Sequence, residues 1–363
     1  MKQILSLLYM GYLFFIVLLV FFSRKKPNQR FSWILVLLFL PVIGVIFYFL
    51  LGSDMYWEYK KKRIRGRHNA LFVELEHIAA ANGRSAVAEL SPRQRFHVKC
   101  CGSALFCEND VKIYTSGKPK FQDLFADLRA AQDHIHVQYF TIHNDSVGQE
   151  LIGILQDKAL QGVEVKLLYD SFGCLFTGVR PLFWELKKTG GKVQAVRPYA
   201  RALNYRNHRK LVIVDGKVGY LGGMNAGEHY GEGVKGMEWR DTHIRVTGRC
   251  VHDLQYIFLS DWIASARKGR VGLRRLKHYF PQPAKKGDLQ AQVIANGLYN
   301  KHVDQDVINR SYFNLISSAT DRLWIQTPYF NPSEAILQSL QTLALRGVDV
   351  RIMTSAYYAF GGL

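Results

Sequence analysis

Two long apolar runs stand near the start of the chain, ahead of any alternating pattern. Residues 4–22 and 31–52 contain no charged side chain, and each run matches the ~20 apolar residues that cross a hydrocarbon layer ~30 Å thick. The first run is too long for the apolar core of a signal peptide, and no small-residue cleavage site follows it. Pro41, in the second run, is tolerated where a neighbouring helix packs against it. The pattern predicts a transmembrane hairpin of two helices within residues 1–58.

Basic residues flank both runs. The connection carries Arg24, Lys25, Lys26 and Arg30, whereas the other side carries Lys2, Lys60, Lys61, Lys62, Arg63, Arg65 and Arg67. The larger basic count on that side favours a cytoplasmic N terminus and a cytoplasmic body. Residues 59–98 then form a basic juxtamembrane linker, which either contacts anionic headgroups or serves as a plain stop-transfer flank.

Beyond residue 98, short apolar runs alternate with segments of helical periodicity. The apolar runs are predicted as strands at residues 134–140, 163–169 and 211–214, and the periodic segments as helices at residues 148–161 and 181–189. Strands that alternate with helices are typical of an α/β layer fold with a central sheet.

The same pattern occurs twice along this part of the chain. Residues 133–140, a helix and the dipeptide Gly162-Val163 are echoed by residues 321–330, a helix and Gly347-Val348. The long spacing indicates a duplicated unit and not a short solenoid repeat. We expect two similar halves, residues 99–280 and residues 281–363, of which the second is incomplete.

Composition narrows the class of protein. A hydrophobic content of 48% excludes a disordered chain, and five cysteines without a C-x-x-C pair exclude a disulfide scaffold and a typical zinc site. Lys and Arg outnumber Asp and Glu by 48 to 29, a net charge of +19 that suits a polyanionic partner. Residues 1–70, however, carry 11 basic and 2 acidic side chains, so nearly half of the excess lies beside the apolar runs. This distribution disfavours nucleic acid as the partner.

The candidate chemistry lies in residues 207–225, which read Asn-His-Arg-Lys-Leu-Val-Ile-Val-Asp-Gly-Lys-Val-Gly-Tyr-Leu-Gly-Gly-Met-Asn. Strand alternation predicts His208 and Lys210 on one face, and Asn225 returns beside them after a Gly-Gly turn. These groups suit a phosphodiester, which needs a nucleophile near neutral pH and fixed donors for the charge on its oxygens. The alternative is a buried strand with a core histidine and a snorkelling lysine.

The spacing H-x-K-x₄-D, followed by G-G-x-N, resembles the HKD signature of the phospholipase D superfamily. Over its whole length the chain resembles the bacterial cardiolipin synthases, through the two apolar runs, the repeat and residues 238–243. The resemblance implies an α/β fold with a phospholipase D-like mixed sheet flanked by helices, two homologous halves and an N-terminal two-helix transmembrane hairpin. It also implies a multi-pass protein of the bacterial cell membrane with its catalytic part in the cytoplasm.

Carried over residue by residue, the resemblance implies roles for the side chains of this segment. His208 is the nucleophile that forms a phosphatidyl-histidine intermediate, and Lys210 and Asn225 hold the phosphate oxygens. Asp215 is mainly structural. The chemistry uses no metal and no cofactor.

The resemblance also implies a carboxylate that orients the imidazole of His208. Asp241 is preferred over Glu238 for this role, because an acceptor on one ring nitrogen fixes the tautomer and frees the other nitrogen for attack. The alternative for Asp241 is a surface ion pair.

The implied function is cardiolipin synthesis, in which a phosphatidyl group passes between two phosphatidylglycerol molecules and glycerol is released. The implied partners are phosphatidylglycerol and anionic membrane lipids. With water as the acceptor, the same site would be a membrane-anchored phospholipase D. Two rival functions are those of a nuclease of the same superfamily and of an inactive truncated membrane protein.

One feature departs from the family pattern. Members of the family contain two HKD motifs, so that one histidine attacks while the other protonates the leaving alcohol. The 363 residues contain one H-x-K-x₄-D. Three explanations follow: a fragment of a longer protein, a truncated and inactive product, or a homodimer in which each chain donates His208. The fragment is favoured, because the second repeat has begun and an aborted sheet exposes unpaired strand edges.

Overall fold

A computed structural model of the chain describes residues 2–23, 27–52, 66, 69–75, 77–78, 90–196, 206–234, 239–265, 273–282, 287–296 and 306–354. The basic cluster at residues 60–65 and 67, the three basic residues at positions 24–26 and Glu238 lie outside the described residues.

The apolar N-terminal segment forms helices α1 (Lys2–Phe21), α2 (Pro27–Phe39) and α3 (Pro41–Phe47), with a π-helical turn at Tyr48–Gly52. The first two helices pack together, because Ile16, Val20 and Leu37 are buried against each other. The second apolar run is divided, since Pro41 lacks a backbone N–H and begins a new helix after Leu40. Within the described part of the chain, no helix combines the length and the apolar character that membrane spanning requires.

A mixed sheet of eight strands forms the centre of the body, in the order β4-β3-β2-β5-β6-β7-β1-β8. The strands are β1 (Leu105–Tyr114), β2 (His134–Tyr139), β3 (Glu164–Asp170), β4 (Lys192–Val196), β5 (Leu211–Val214), β6 (Val218–Gly222), β7 (His243–Gly248) and β8 (Leu289–Gln292). Strands β2, β3 and β4 are parallel, and the pairs from β2–β5 onward are antiparallel.

Helices flank the sheet on both faces. The α-helices of the body are α4 (Pro92–Cys101), α5 (Gly117–Ala130), α6 (Ser146–Leu160), α7 (Arg180–Lys188), α8 (His229–Glu232), α9 (Val251–Ser265), α10 (Leu273–Leu276), α11 (Val307–Ser317) and α12 (Glu334–Leu345). Helices α11 and α12 pack in a separate small core and do not flank this sheet. Apolar residues of α5, α6 and α7 form the core on one face, and those of α9 form the core on the other. The predicted α/β fold with a mixed sheet flanked by helices is therefore confirmed.

Strand β2 shows how the sequence sets this layering. Ile135, Val137 and Tyr139 enter the core with α5 and α6, whereas the alternate residues His134 and His136 reach the side chain of Gln255 on α9. Every residue of β2 is buried, because helices cover both of its faces.

Both copies of the repeated sequence fold as parallel β–α–β units. The second unit comprises β9 (Arg322–Gln326), α12 and β10 (Asp349–Met353), and β9 and β10 form a separate two-stranded sheet. The carbonyl of Asp133 accepts from the N–H of Glu164 at 3.0 Å, and that of Asp321 accepts from the N–H of Asp349 at 3.0 Å. Equivalent hydrogen bonds therefore close the two units.

Two predicted boundaries differ from the structure. Strand β8, which the prediction assigned to the second half, pairs with β1 at the edge of the first sheet. In the predicted linker, residues 69–75 are helical, and Phe72 and Leu75 are buried in the core with α9. The first half therefore includes β8 from the predicted second half and the helical residues 69–75 from the predicted linker.

Candidate functional site

The candidate site lies at one end of the strands of the large sheet, where the segments that carry its residues begin or end. Parallel strands β2 and β3 terminate at this end, and the antiparallel strand β5 begins there, since Leu211 pairs with Gln138. Strand β6 terminates and β7 begins at the same end, where Gly222 pairs with His243. Segments far apart in sequence therefore meet at this end of the strands.

The alternation predicts His208 and Lys210 on one face of a strand, but both residues lie in the segment just before β5, outside the strand. The ammonium of Lys210 is 3.1 Å from Nε2 of His208 and donates to the His208 carbonyl at 2.9 Å. The ring of Phe140 lies beside both, 4.7 Å from the imidazole centroid and 5.4 Å from Nζ of Lys210. Lys210 is buried and His208 is exposed, so the imidazole faces the solvent above a buried ammonium.

The surroundings lower the pKa of both groups. Burial lowers the pKa of Lys210 to about 8, although the negative charge of Asp241 acts in the opposite direction. The imidazole of His208 is exposed at the surface but partly desolvated by its neighbours, and this desolvation lowers its pKa. The charge of Lys210 lowers the pKa of His208 further, and the charge of Asp170 opposes the shift. At neutral pH the imidazole of His208 is therefore mostly neutral, and the amine of Lys210 is mostly protonated.

Asn225 is fixed beside this pair from the end of β6. Its Oδ1 accepts from the backbone N–H of Thr141 at 3.1 Å, and its Nδ2 donates to the hydroxyl of Tyr230 at 3.0 Å. Because Thr141 follows Phe140 directly, the amide lies next to the residue that contacts His208. No hydrogen bond joins Asn225 to His208 or Lys210 within the described ranges.

Asp241 packs against the Gly-Gly turn. A Cβ at Gly223 would lie 2.0 Å from Oδ1 of Asp241, so only glycine allows this approach. Oδ1 accepts from the N–H of Thr242 at 2.6 Å. Asp241 therefore acts on Lys210 through its charge, and among the residues described it has no hydrogen bond to His208.

Asp215 lies at the opposite end of β5 from His208. It adopts a left-handed conformation, φ 52°, and with Gly216 it forms the tight turn between β5 and β6. Its carboxylate accepts from the backbone N–H groups of Gln132, Asp133 and His134 at 2.9, 2.8 and 3.0 Å. These contacts tie the hairpin to the start of β2, away from the other candidate residues.

Two buried carboxylates that the sequence interpretation missed hold the segment around His208. Asp170, at the end of β3, accepts from the backbone N–H of Asn207 at 3.1 Å. Asp261, on α9, accepts from the side-chain amide of Asn207 at 2.9 Å and from the guanidinium of Arg209. The sequence does indicate Asp170, because it is an acidic residue directly after a predicted apolar strand. No sequence pattern indicates Asp261, which lies within a helix.

The assembled groups fit attack on a phosphodiester. A neutral imidazole supplies a lone pair, and a neighbouring ammonium stabilises the negative charge that develops on the phosphate oxygens. Within the described residues, no group of three or more His, Cys, Asp or Glu side chains is arranged to hold a metal ion.

Comparison with known families gives two matches along the chain. Residues 124–233 and 312–359 match the family described as "Cardiolipin synthase, PLD-like domain", and residues 12–53 match "Phospholipase_D-nuclease N-terminal". The first match includes His208, Lys210, Asp215 and Asn225.

Curated relatives match nearly the whole chain. Cardiolipin synthase 2 of Staphylococcus epidermidis is 36% identical over 354 residues, covering 94% of this chain and 71% of the relative. Cardiolipin synthase of Staphylococcus aureus is 37% identical over 360 residues, covering 94% and 70%. The major cardiolipin synthase of Bacillus subtilis is 36% identical over 368 residues, covering 96% and 74%.

Among solved structures, phosphatidylserine synthase from Haemophilus influenzae is similar with a TM-score of 0.49 and 18% identity, covering 67% of this chain and 61% of that one.

Proposed function

Because the chain belongs to the cardiolipin synthase family of phospholipase D-like proteins, we propose that it is a phosphatidyltransferase of phospholipid biosynthesis that makes cardiolipin from phosphatidylglycerol. The observation that carries the proposal is the pairing of a neutral imidazole at His208 with the Lys210 ammonium, 3.1 Å away. A phosphodiester substrate matches this pair, because one group attacks phosphorus and the other stabilises its oxygens.

In the first step, Nε2 of His208 attacks the phosphorus of one phosphatidylglycerol. The P–O bond to the terminal glycerol breaks, the leaving oxygen takes a proton from a general acid, glycerol departs, and a phosphatidyl-histidine forms. Lys210 donates to a non-bridging oxygen, and Asn225 supplies a further amide donor. Asp241 keeps the Lys210 ammonium charged, since its negative charge raises the pKa of that group.

In the second step, the primary hydroxyl of another phosphatidylglycerol attacks the same phosphorus. The P–N bond to His208 breaks, the hydroxyl proton passes to the conjugate base of the acid used in the first step, and cardiolipin is released. A second histidine serves as the acid in the family scheme, and the 363 residues hold one H-x-K-x₄-D motif.

The proposal includes embedding of the α1–α3 hairpin in the bacterial cell membrane, with the catalytic body on the cytoplasmic side. Many large apolar side chains of these helices face outward, among them Phe14, Phe21 and Phe39. Such exposure suits contact with lipid, because water would leave this apolar surface unburied. The excess of basic residues after the hairpin supports the cytoplasmic orientation.

The direct test follows labelled phosphatidylglycerol in detergent micelles, with cardiolipin and released glycerol measured together. His208→Ala is expected to lower the amounts of both products by about a thousandfold or more. The control, His278→Ala, removes an exposed histidine at the opposite end of the strands and leaves both products unchanged. Glycerol release with phosphatidic acid in place of cardiolipin would identify a phospholipase D. Equal activity in the parent and in His208→Ala would overturn the proposal.

A further inference from the structure

A cluster of exposed apolar side chains borders the candidate site. The β3–α7 loop, residues 171–179, carries Phe172, Leu175 and Phe176, and these side chains are 55%, 40% and 92% exposed. Single exposed apolar residues are ordinary on protein surfaces, but three within five positions of one loop form a contiguous patch that needs an explanation.

The loop is held in place by specific contacts. The Asp170 carboxylate accepts from the backbone N–H groups of Phe172 and Gly173 at 2.9 and 3.0 Å. Cys174 is buried, and its sulfur accepts from the N–H of Ile142 at 3.4 Å. The backbone is therefore anchored while its large apolar side chains point outward, so the exposure is built into the fold.

The loop also adjoins the nucleophile. Asp170 accepts from the N–H of Asn207, the residue before His208, at 3.1 Å. Gly173 lies so close to the carbonyl of Phe140 that a Cβ there would be 2.3 Å from the oxygen, and the Phe140 ring contacts His208. A surface that meets the loop therefore also meets the entrance to the site.

Positive charge accompanies the apolar tip. The guanidinium of Arg206 lies 4.3 Å from the centroid of the Phe172 ring. Its Nη1 is buried and has no hydrogen-bond partner among the described residues. An apolar tip with an adjacent guanidinium matches the bilayer interface, where anionic phosphates lie next to hydrocarbon.

We propose that the β3–α7 loop inserts the side chains of Phe172, Leu175 and Phe176 into the surface of an anionic bilayer and so presents lipid phosphates to His208. This inference rests on the proposed function, because it takes membrane phospholipids as the substrates. It assigns to the catalytic body a membrane contact of its own, separate from the α1–α3 hairpin. Phosphatidylglycerol would then reach the nucleophile without leaving the membrane.

The test uses the full chain in vesicles of phosphatidylglycerol and phosphatidylethanolamine, with photoreactive p-benzoylphenylalanine at position 176. Irradiation is expected to give phospholipid adducts, detected by mass spectrometry. The matched control carries the same group at position 160. Leu160 is 70% exposed and ends α6 at the opposite end of the strands from His208. A third position, 14, probes the hairpin, where Phe14 is 66% exposed.

Lipid adducts at 176 and 14 with none at 160 support the inference. Adducts at 14 alone, or protein adducts at 176 from a second copy or another segment, overturn it while membrane anchoring stands. Absence of lipid adducts at both 14 and 176 overturns anchoring and the inference together. Because the readout needs no turnover, lipid adducts at 176 in a chain without activity would support the loop contact while the proposed catalysis fails.

A kinetic measurement separates the loop from the chemistry. Phe176→Ser is expected to raise the phosphatidylglycerol mole fraction that gives half-maximal rate in vesicles by about tenfold. It leaves the rate on monomeric short-chain phosphatidylglycerol unchanged, because a dissolved substrate does not need the interface. An equal loss on both substrates, or no loss on vesicles, would contradict the inference.

Discussion

The Lys210 ammonium lies 3.1 Å from Nε2 of His208, and this contact defines the tautomer of the imidazole. An ammonium carries three donors and no acceptor, so Nε2 must be the unprotonated nitrogen, and Nδ1 carries the proton. The lone pair needed for attack on phosphorus is therefore on the nitrogen that faces the charge-stabilising group. When substrate binds, the hydrogen bond from Lys210 to Nε2 of His208 is replaced by one from Lys210 to a phosphate oxygen, and the lone pair of Nε2 becomes available for attack.

This pairing predicts a bell-shaped pH dependence of glycerol release. The rate rises as His208 loses its proton, at a pH below its ordinary value of 6.5, and falls as Lys210 loses its proton near pH 8. Asp241→Asn is expected to move the alkaline limb to lower pH, because the Asp241 charge raises the pKa of Lys210. The measurement is the initial rate of release of labelled glycerol between pH 5 and 10.

Asp170→Asn is the matched variant for the acid limb. The charge of Asp170 raises the pKa of His208, so its removal is expected to move the acid limb to lower pH and leave the alkaline limb in place. If either substitution moves both limbs equally, the two limbs do not report His208 and Lys210 separately, and the assignment is wrong.

A second prediction concerns Asp261, which accepts from the side chains of Gln138, Asn207 and Arg209. Asp261→Asn leaves the partly buried Arg209 guanidinium without its counter-charge, and we expect a loss of about 3 kcal/mol in the free energy of unfolding. The rate of glycerol release per folded molecule should also fall about tenfold, because the flanks of His208 lose their support. Thermal unfolding by circular dichroism and the single-turnover rate measure the two effects.

The control for Asp261 is Asp123→Asn. Asp123 also pairs with a basic residue, Lys112, but the two side chains are 35% and 58% exposed, so the expected loss is under about 1 kcal/mol. Similar losses in the two variants would show that the burial of Asp261 confers no special role on it.

The sequence predicts those features that local patterns control. Strand β5 is a run of four apolar residues, Leu211–Val214, and the two-residue spacing of His208 and Lys210 already indicates a shared site. Asp261 escapes prediction, because its contact with Asn207 spans 54 positions and depends on how α9 packs against the sheet. Pairing of β8 with β1 is equally non-local, and no pattern within residues 287–296 specifies its partner.

A third prediction separates Asp215 from the chemistry. Asp215→Ala removes the acceptor for three backbone N–H groups and puts alanine at φ 52°. The expected cost is about 2–4 kcal/mol in the free energy of unfolding. Turnover per folded molecule at low temperature should equal that of the parent, because Asp215 lies at the other end of β5. A loss of turnover in a variant that unfolds like the parent would place Asp215 in the chemistry instead.

A fourth prediction concerns acid stability. Burial lowers the pKa of several histidines of the body, among them His134, His136, His243 and His252. Below pH 6.5 the unfolded chain binds protons that the folded chain excludes, so stability is lost as the pH falls.

The cost is about 1.4 kcal/mol per pH unit for each histidine that stays neutral in the fold. His136→Gln removes one such group, and with it the stacking on Phe258 at 4.5 Å. We therefore expect a lower melting temperature at pH 7.5 but a smaller drop between pH 7.5 and 5.5 than in the parent. His278→Gln, at an exposed histidine, should retain the parent's drop. If His136→Gln retains it as well, burial of neutral histidines is not the source of the acid sensitivity.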